Sequence, residues 1–214
     1  MCGIAGLYQS TTIDSIQAKK SIIEMTQSLI HRGPDDTNIY IDDESHWYFG
    51  HRRLSILDTS QGGLQPMTSH SGNLIISFNG EIYNHLEIRD ELEKENPLIQ
   101  WKSTSDTETL LEAFDQWGIN STLPRVRGMF AIALWDKINK DFYLIRDRFG
   151  EKPLYYGWAQ QNQFSAFCFA SELKAIQANP VFEGRIDKNA IALQFRLGYI
   201  PSPYSIYQGI KKLP

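Results

Sequence analysis

Cys2 stands directly after the initiator methionine, and its thiol is the side chain best placed for covalent chemistry. A free cysteine is only a few per cent thiolate at pH 7, so a nucleophilic one needs a base or a lowered pKa. Removal of Met1, which a small second residue favours, would give Cys2 an α-amine with a reference pKa of about 8. That amine is strong enough to act as a general base, so one residue would supply nucleophile and base. The alternative is a small residue without chemistry.

The usual base for a nucleophilic cysteine is histidine. None of the five histidines stands in a recognisable Cys/His arrangement: His31, His46, His51, His70 and His85. We expect His31 to have a structural role. The second cysteine, Cys168, lies in the apolar run "AFCFAS", and we expect it to be a buried small residue.

Composition excludes several classes of protein. The chain has 214 residues, 42% hydrophobic and 21% charged, which is room for one large domain or two small ones. Its net charge of −4 gives no support to nucleic-acid binding, which needs a basic face. Two cysteines make neither a disulfide framework nor a metal site, and they fit a reducing compartment, although two cysteines could pair in an oxidising one. Without a signal peptide or an apolar run of about 20 residues, a soluble cytoplasmic protein is expected.

The elements that would position Cys2 can be read from periodicity and from capping signals. "DSIQ" (Asp14 to Gln17) and "SDTE" (Ser105 to Glu108) resemble capping boxes and predict helices to about Ile30 and Trp117. Further helices are predicted at 86–92, from "ELKAI", and from Asp187 to about Leu197. Strands are predicted at 2–8, 38–41, 47–51, 73–80, in the hairpin "GMFAIALWD"–"DFYLIRD", and in "PLYYG" and "FCFAS".

Two of these segments have particular consequences. The strand Asn73–Gly80 is predicted to end in an Asn-Gly turn, a common hairpin signal. The last stretch, from Gly198 to Pro214, holds three of the nine prolines and is typical of a connector. Helices and strands in this order, without regular βαβ units, predict a layered α+β architecture.

The collinear motifs of the first 180 residues resemble one family. They are "CGIAG" from Cys2, "HRGPDD" from His31, "GHRRLSILD" from Gly50, "QPM" from Gln65, "FNGEIYN" from Phe78, "SDTE" from Ser105, "RGMFAIALWD" from Arg127, "RDRFGEKPLYYG" from Arg146 and "FASELKAI" from Phe169. The chain is similar to the glutamine-hydrolysing domain of asparagine synthetases, within the class II, N-terminal nucleophile, glutamine amidotransferases.

The resemblance implies a four-layer α-β-β-α sandwich of the N-terminal nucleophile hydrolase type. It implies a type-2 glutamine amidotransferase domain over residues 2–185, with residues 186–214 beginning a connector to an ATP-dependent synthetase domain not present in this chain. The implied partners are glutamine and that synthetase domain, and a homodimer is an assembly the resemblance allows. No metal or cofactor is expected in this domain, whereas ATP and Mg²⁺ are expected for the synthetase domain.

The resemblance also assigns site residues. Cys2 would form a γ-glutamyl thioester, and Asn79 and Gly80 would donate hydrogen bonds to the oxyanion. Arg53 would bind the glutamine carboxylate, a task suited to the fork of a guanidinium, with Arg52 pointing to the other face. The remaining glutamine-binding positions are Leu54, Ser55, Ile56, Leu57, Glu81 and Asp106, where Asp106 and Glu81 are the candidate partners of the ammonium group.

Each of these residues also has a simpler explanation. Adjacent arginines are commonly a solvated surface pair, Asp106 would favour a helix N-terminus, and Glu81 would be an exposed acid. The implied overall reaction is glutamine hydrolysis that supplies ammonia for the amidation of aspartate to asparagine. Two alternatives stay open. One is an amidotransferase with another carboxylate acceptor, as in polysaccharide biosynthesis, and the other is a non-catalytic glutamine-sensing domain.

Overall fold

The computed structural model describes residues 1–9, 14–161 and 164–214, and its strands are all antiparallel. The strands are β1 Gly3–Gln9, β2 Asp36–Asp42, β3 Trp47–Arg53, β4 Met67–Thr68, β5 Leu74–Ile82, β6 Gly128–Asp136, β7 Asp141–Arg146, β8 Tyr155–Gln161, β9 Phe164–Ala170 and β10 Ile210–Lys212. The helices are α1 Ser15–Gln27, α2 His85–Glu95, α3 Asp106–Trp117, α4 Ile119–Thr122, α5 Leu173–Gln177 and α6 Lys188–Leu197.

Helix starts follow the predicted caps. The Asp14 carboxylate accepts a hydrogen bond from the Gln17 N–H at 2.7 Å, which begins α1. The Ser105 hydroxyl accepts one from the Glu108 N–H at 3.2 Å, which begins α3. These side chains satisfy N–H groups that have no partner inside the helix. The prediction that α1 reaches Ile30 is too long, because the helix ends at Gln27.

The strands form two sheets. One has six strands in the order β10-β8-β9-β1-β3-β2, and the other has four in the order β4-β5-β6-β7. Gly3 pairs with Arg52, so the start of β1 lies beside the end of β3. Glu81 pairs with Met129, so the end of β5 lies beside the start of β6. In this way the antiparallel pairing brings four strand ends together at one edge of the molecule.

Three apolar clusters separate four layers, which confirms the predicted α-β-β-α sandwich. The first packs α1 and α5 against the six-stranded sheet, with Leu7 and Ile22 among its members. The second lies between the sheets and contains Ile4, Phe49 and Trp135. The third packs α2 and α3 on the four-stranded sheet. Neighbouring residues of β1 face different clusters, because side chains alternate across a strand.

Two segments differ from, or leave untested, what the sequence predicts. The Asn79-Gly80 pair is not a turn: both residues lie inside β5, where they pair with Ala131 and Phe130 of β6. The ladder with β6 outweighs the local turn preference of the dipeptide.

The segment after residue 185 contains α6 and the edge strand β10, which pairs with β8, so the domain boundary at residue 185 stays a prediction. In the part of the chain that the structure describes, no helix is long and apolar enough to cross a membrane.

Candidate active site

A cavity of about 120 Å³ opens where the four strand ends converge, and most of the predicted site residues line it. The predicted residues that line it are Cys2, Arg53, Leu54, Ile56, Leu57, Asn79, Gly80, Glu81 and Asp106. Ser55 does not, and its N–H instead donates to the Asp35 carboxylate at 2.8 Å. The lining residues that were not predicted are Met1, Asp58, Gly63, Gln65, Phe78, Ser105, Thr107, Met129 and Lys152.

The Cys2 thiol lies against the backbone of Leu54. The Leu54 N–H donates to Sγ at 3.5 Å, and Sγ–H donates to the Leu54 carbonyl at 3.7 Å. Burial raises the pKa of the Cys2 thiol, against the opposing effect of the Leu54 contact. The thiol is therefore protonated at neutral pH and needs a base before it can attack. The Cys2 carbonyl is fixed separately by Arg32, whose Nε donates to it at 2.9 Å.

Asn79 brings an unused hydrogen-bond donor to this cavity. Its side-chain nitrogen is buried and has no hydrogen-bond partner among the described residues. A buried donor left unpaired costs about 1–3 kcal/mol, so such groups are rare unless something else binds them. The backbone of Asn79 is held in β5 by its pairing with β6, so the side chain extends from a fixed point of the fold.

The Gly80 N–H is available on the same side. The Phe78 N–H donates to Gln65 Oε1 at 2.7 Å, so it points away from β6. The Ile82 N–H donates to Asp106 Oδ2 at 2.8 Å and points away from β6 as well. Because N–H groups alternate along an antiparallel strand, the Gly80 N–H points the same way, toward the cavity. Asn79 and Gly80 thus offer two adjacent donors.

Glycine is required at position 80 by the neighbouring strand. A Cβ there would lie 2.3 Å from the Met129 carbonyl oxygen and 2.8 Å from the Phe130 Cα. The backbone of β6 cannot move away without breaking the ladder. Close packing of β5 on β6, rather than access to a ligand, therefore excludes any larger residue.

Arg53 is buried at the end of β3, so it does not belong to a solvated surface pair. Its Nη1 donates to the Ser60 carbonyl at 2.8 Å and to Asp36 Oδ2 at 3.2 Å, and its Nη2 donates to the Asp58 carbonyl. These contacts fix the plane of the guanidinium. Arg52 is also buried, and it does not line the cavity, as expected for the preceding residue of the same strand.

Asp58 and Gln65 tie the walls of the cavity together. The Asp58 carboxylate accepts from the Ser60 N–H at 2.7 Å and from the Thr104 N–H at 2.8 Å. Hydrogen bonds from Ser60 and Thr104 hold its pKa at about 2. Gln65 joins β5 to α3, because its Nε2 donates to Thr107 Oγ1 at 3.1 Å. Both residues stand in the quoted motifs, but each also has a partner 42 or 46 residues away, where sequence patterns give no signal.

Asp106 lies at the first turn of α3 and is buried. Burial raises its pKa to about 6, although the Ile82 and Thr107 N–H groups oppose that shift. The carboxylate is thus an anion with a desolvation cost, which a cationic ligand would offset. Glu81 is half-buried and lines the same cavity. Both acids are positioned to meet a positive charge.

The other titratable candidates lie outside this chemistry. His31 contacts Glu172 at 3.0 Å on the surface. His51 is buried against the Phe78 carbonyl, and burial lowers its pKa to about 4. Burial raises the pKa of the Cys168 thiol to about 12, in line with an inert core residue. Among the described residues, no group of histidine, cysteine and acidic side chains could hold a metal ion.

Known proteins with similar sequences carry this domain as part of a longer chain. Asparagine synthetase [glutamine-hydrolyzing] 3 of Bacillus subtilis is 38% identical over 216 residues, which cover 100% of this chain and 33% of the relative. Asparagine synthetase B [glutamine-hydrolyzing] of Escherichia coli is 37% identical over 177 residues, covering 82% of this chain and 30% of the relative. The chain therefore spans about a third of the length of these relatives.

A solved structure supports the fold. Glutamine phosphoribosylpyrophosphate amidotransferase of B. subtilis matches with a TM-score of 0.67 over 85% of this chain and 44% of that chain, at 20% sequence identity. This agrees with the predicted α+β fold. The sequence profile of the family described as "Glutamine amidotransferase domain" matches residues 1–214. The chain belongs to the glutamine amidotransferase domain family.

Proposed function

We propose that this domain hydrolyses glutamine to glutamate and ammonia through a γ-glutamyl thioester on Cys2. The single observation that carries the proposal is the unpartnered amide nitrogen of Asn79 in the cavity that holds the Cys2 thiol. A nucleophile beside two fixed N–H donors is the arrangement that acyl transfer through a tetrahedral oxyanion requires.

The proposed reaction begins once Met1 is removed and the Cys2 nitrogen becomes an amine. The amine takes the thiol proton as Sγ attacks the side-chain carbonyl of glutamine, and the oxyanion accepts from Asn79 Nδ2 and Gly80 N–H. The ammonium form of the amine then donates a proton to the leaving nitrogen, and ammonia departs. A water molecule, deprotonated by the same amine, attacks the thioester carbonyl. The C–S bond breaks, the sulfur takes the proton back from the amine, and glutamate is released. Each donor of this kind contributes about 3–4 kcal/mol to transition-state stabilisation.

Arg53 and Asp106 would bind the other end of glutamine. The Arg53 guanidinium would pair with the α-carboxylate, with the backbone of residues 54–57 alongside. Asp106, supported by Glu81, would pair with the α-ammonium. The opposite charges of the two groups match those of a free amino acid, which supports glutamine rather than a glutamine residue inside a peptide.

We further infer that the ammonia is used by a synthetase part beyond this domain, with ATP and Mg²⁺, to convert aspartate to asparagine. The names of the relatives support this acceptor. An acceptor of another kind, such as a carboxylate in polysaccharide biosynthesis, uses the same domain chemistry. The acceptor can be identified with a protein that carries the synthetase part. Such a protein is supplied with glutamine labelled with ¹⁵N at its amide, and the label appears in asparagine if aspartate is the acceptor.

The Cys2→Ala variant tests the hydrolysis itself. We expect it to lose glutamine-dependent release of ammonia while keeping its circular dichroism spectrum and its affinity for glutamine. Cys168→Ala is the matched control, because it removes a thiol outside the cavity and should keep the activity. Intact mass should show that Met1 is absent from active protein. Undiminished activity in Cys2→Ala would overturn the mechanism, and glutamine binding by the native chain without turnover would favour a sensor.

A further inference from the structure

Lys152 is a buried lysine that points into the cavity of Cys2. It lies between β7 and β8 and is only 6% exposed. Its backbone N–H donates to Asp147 Oδ2 at 3.0 Å, and its carbonyl accepts from Arg146 Nε at 2.6 Å. These two contacts fix the backbone from which the side chain extends, so the direction of the side chain is set by the fold.

The Lys152 ammonium has an unusual partner. Its Nζ donates to the Met1 sulfur at 3.4 Å, and among the described residues no carboxylate is within ion-pair distance of it. A thioether is a weak, neutral acceptor, whereas buried ammonium groups ordinarily pair with acids. The contact is also with the residue that is removed when the Cys2 amine is set free. In the processed protein the positive charge of Lys152 would face the space vacated by Met1.

The other charges around Cys2 are either paired or negative. Arg53 from β3 is paired with Asp36 at 3.2 Å. Arg32, which follows α1, is paired with Glu172 at 2.9 Å.

Three acids also line the cavity: Asp58 from the loop after β3, Glu81 from β5 and Asp106 from α3. A nearby acid favours the protonated amine, and a nearby cation disfavours it. Lys152 is thus the one cation of this cavity, within the described parts of the chain, whose charge no carboxylate offsets.

We propose that Lys152 holds a positive charge beside the Cys2 α-amine and so keeps that amine in its neutral, proton-accepting form at neutral pH. The inference rests on the proposed function, in which that amine is the base. Five covalent bonds join the Met1 sulfur to the Cys2 nitrogen, so Nζ lies within about 10 Å of that nitrogen. This is about one Debye length at 0.1 M salt, and the site is partly shielded from water. Lys152 acts through the amine and is a positioning residue, without contact to the reacting carbonyl.

The test compares Lys152→Met, which keeps most of the length of the side chain without its charge, with Lys152→Arg, which keeps the charge. Both are measured as Met1-free protein, with processing verified by intact mass, and kcat/KM for glutamine is followed from pH 5 to 9. Loss of the charge makes the amine easier to protonate. The acidic limb of the Lys152→Met profile should therefore move to higher pH by about half a unit or more. Lys152→Arg should retain the native limb, and KM should change little in either variant.

Three outcomes would overturn the inference. One is a Lys152→Met profile that superimposes on the native profile. Another is a raised KM with an unmoved limb, which would make Lys152 a substrate-binding residue. The third is an equal shift in Lys152→Arg, because the effect would not follow charge. Lys152→Gln replaces the methionine variant if that variant fails to fold. Failure of this inference can be distinguished from failure of the proposed function. If the proposed function fails, Cys2→Ala retains activity, and that result does not depend on the residue at position 152.

Discussion

At the level of one residue, the proposed pairing of Asp106 with the α-ammonium of glutamine predicts that binding depends on pH. Its pKa is raised to about 6 by burial, so the group loses its negative charge within the range in which the protein can be studied. An α-ammonium is attracted by the ionised form only. Below pH 6 the attraction disappears as the carboxyl takes up a proton, whereas above pH 7 it is fully present.

We therefore expect the affinity for glutamine to fall by about tenfold for each pH unit below 6, as one-proton linkage requires. The measurement is calorimetric titration of Cys2→Ala protein with glutamine between pH 5 and 8, so that no hydrolysis interferes. The charges of free glutamine do not change in this range. The dissociation constant should be nearly constant above pH 7.

Two variants of α3 define the control for this experiment. Asp106→Asn, in the Cys2→Ala background, should bind glutamine weakly and with little dependence on pH. Asp115→Asn changes an acid of the same helix that contacts Ser71 outside the cavity, and it should retain the native dependence. An unchanged pH dependence in Asp106→Asn would assign the ammonium site to another acid, with Glu81 the next candidate.

At the scale of elements, β5 illustrates what the sequence could and could not predict. The sequence predicts a strand over residues 73–80 that ends in a turn at the Asn-Gly pair, whereas β5 spans Leu74–Ile82. The strand continues through the Asn-Gly pair to Ile82, because Gly80 packs against the β6 backbone. Sequence alone favours a turn for this dipeptide. The difference comes from a partner strand that lies about 50 residues later in the chain.

The resemblance assigns residues 54–57, in the loop after β3, to glutamine binding. The shape of this loop is set by contacts across the cavity. Asp58 reaches Thr104, and Arg53 binds the carbonyl groups of Ser60 and Asp58. Local patterns locate helices and strands, because periodicity and capping are properties of neighbouring residues. They cannot identify a side chain that holds two loops together. The motif resemblance names residues most of which line one cavity, while the contacts that support this cavity required the structure.

The packing of this loop predicts that the absence of a side chain at Gly63 is needed for the position of the Arg53 guanidinium. A Cβ at position 63 would lie 2.2 Å from Arg53 Nη2, so an alanine there would displace the guanidinium. We expect Gly63→Ala to raise KM for glutamine by about 10- to 100-fold, the size of a lost charge-assisted hydrogen bond. The value of kcat should change much less, because the lost contact binds substrate and transition state alike.

A double-mutant cycle provides the control. Once Arg53→Ala has removed the guanidinium, adding Gly63→Ala should change KM only slightly, because the two positions act through one interaction. Strictly additive effects on KM would contradict this account and would indicate that Gly63 supports the cavity independently of Arg53. Steady-state glutaminase kinetics of the four proteins are sufficient for the comparison.

At the scale of the whole molecule, the layered α+β fold followed from the order of helices and strands, but the order of strands within each sheet did not. β1 pairs with β3 and β9, and β8 pairs with β10, across separations that no local pattern encodes. The proline-rich stretch from Gly198 was predicted to be a connector for the same reason. Its edge strand is recognisable only from its position next to β8.

The residues in and after β10 contact the segment that lies beside the Cys2 cavity. Ile210 of β10 is buried, and the Leu213 N–H donates to the Leu154 carbonyl at 2.8 Å. The Leu213 carbonyl accepts from Arg146, whose Nε also binds the Lys152 carbonyl. Residues after 185 therefore support the loop that carries Lys152.

We accordingly expect a chain that ends at Arg185 to unfold at a temperature lower by at least about 5 °C. Loss of the buried Ile210 alone is worth about 1.5–3 kcal/mol, and each kcal/mol shifts the unfolding temperature of a domain of this size by about 2–4 °C. Differential scanning calorimetry checks the shift. Ile210→Ala in the 214-residue chain is the control, because it should show a smaller decrease with β10 still paired. An unchanged unfolding temperature in the shortened chain would support the boundary predicted at residue 185, because β10 would then contribute nothing to the stability of the domain.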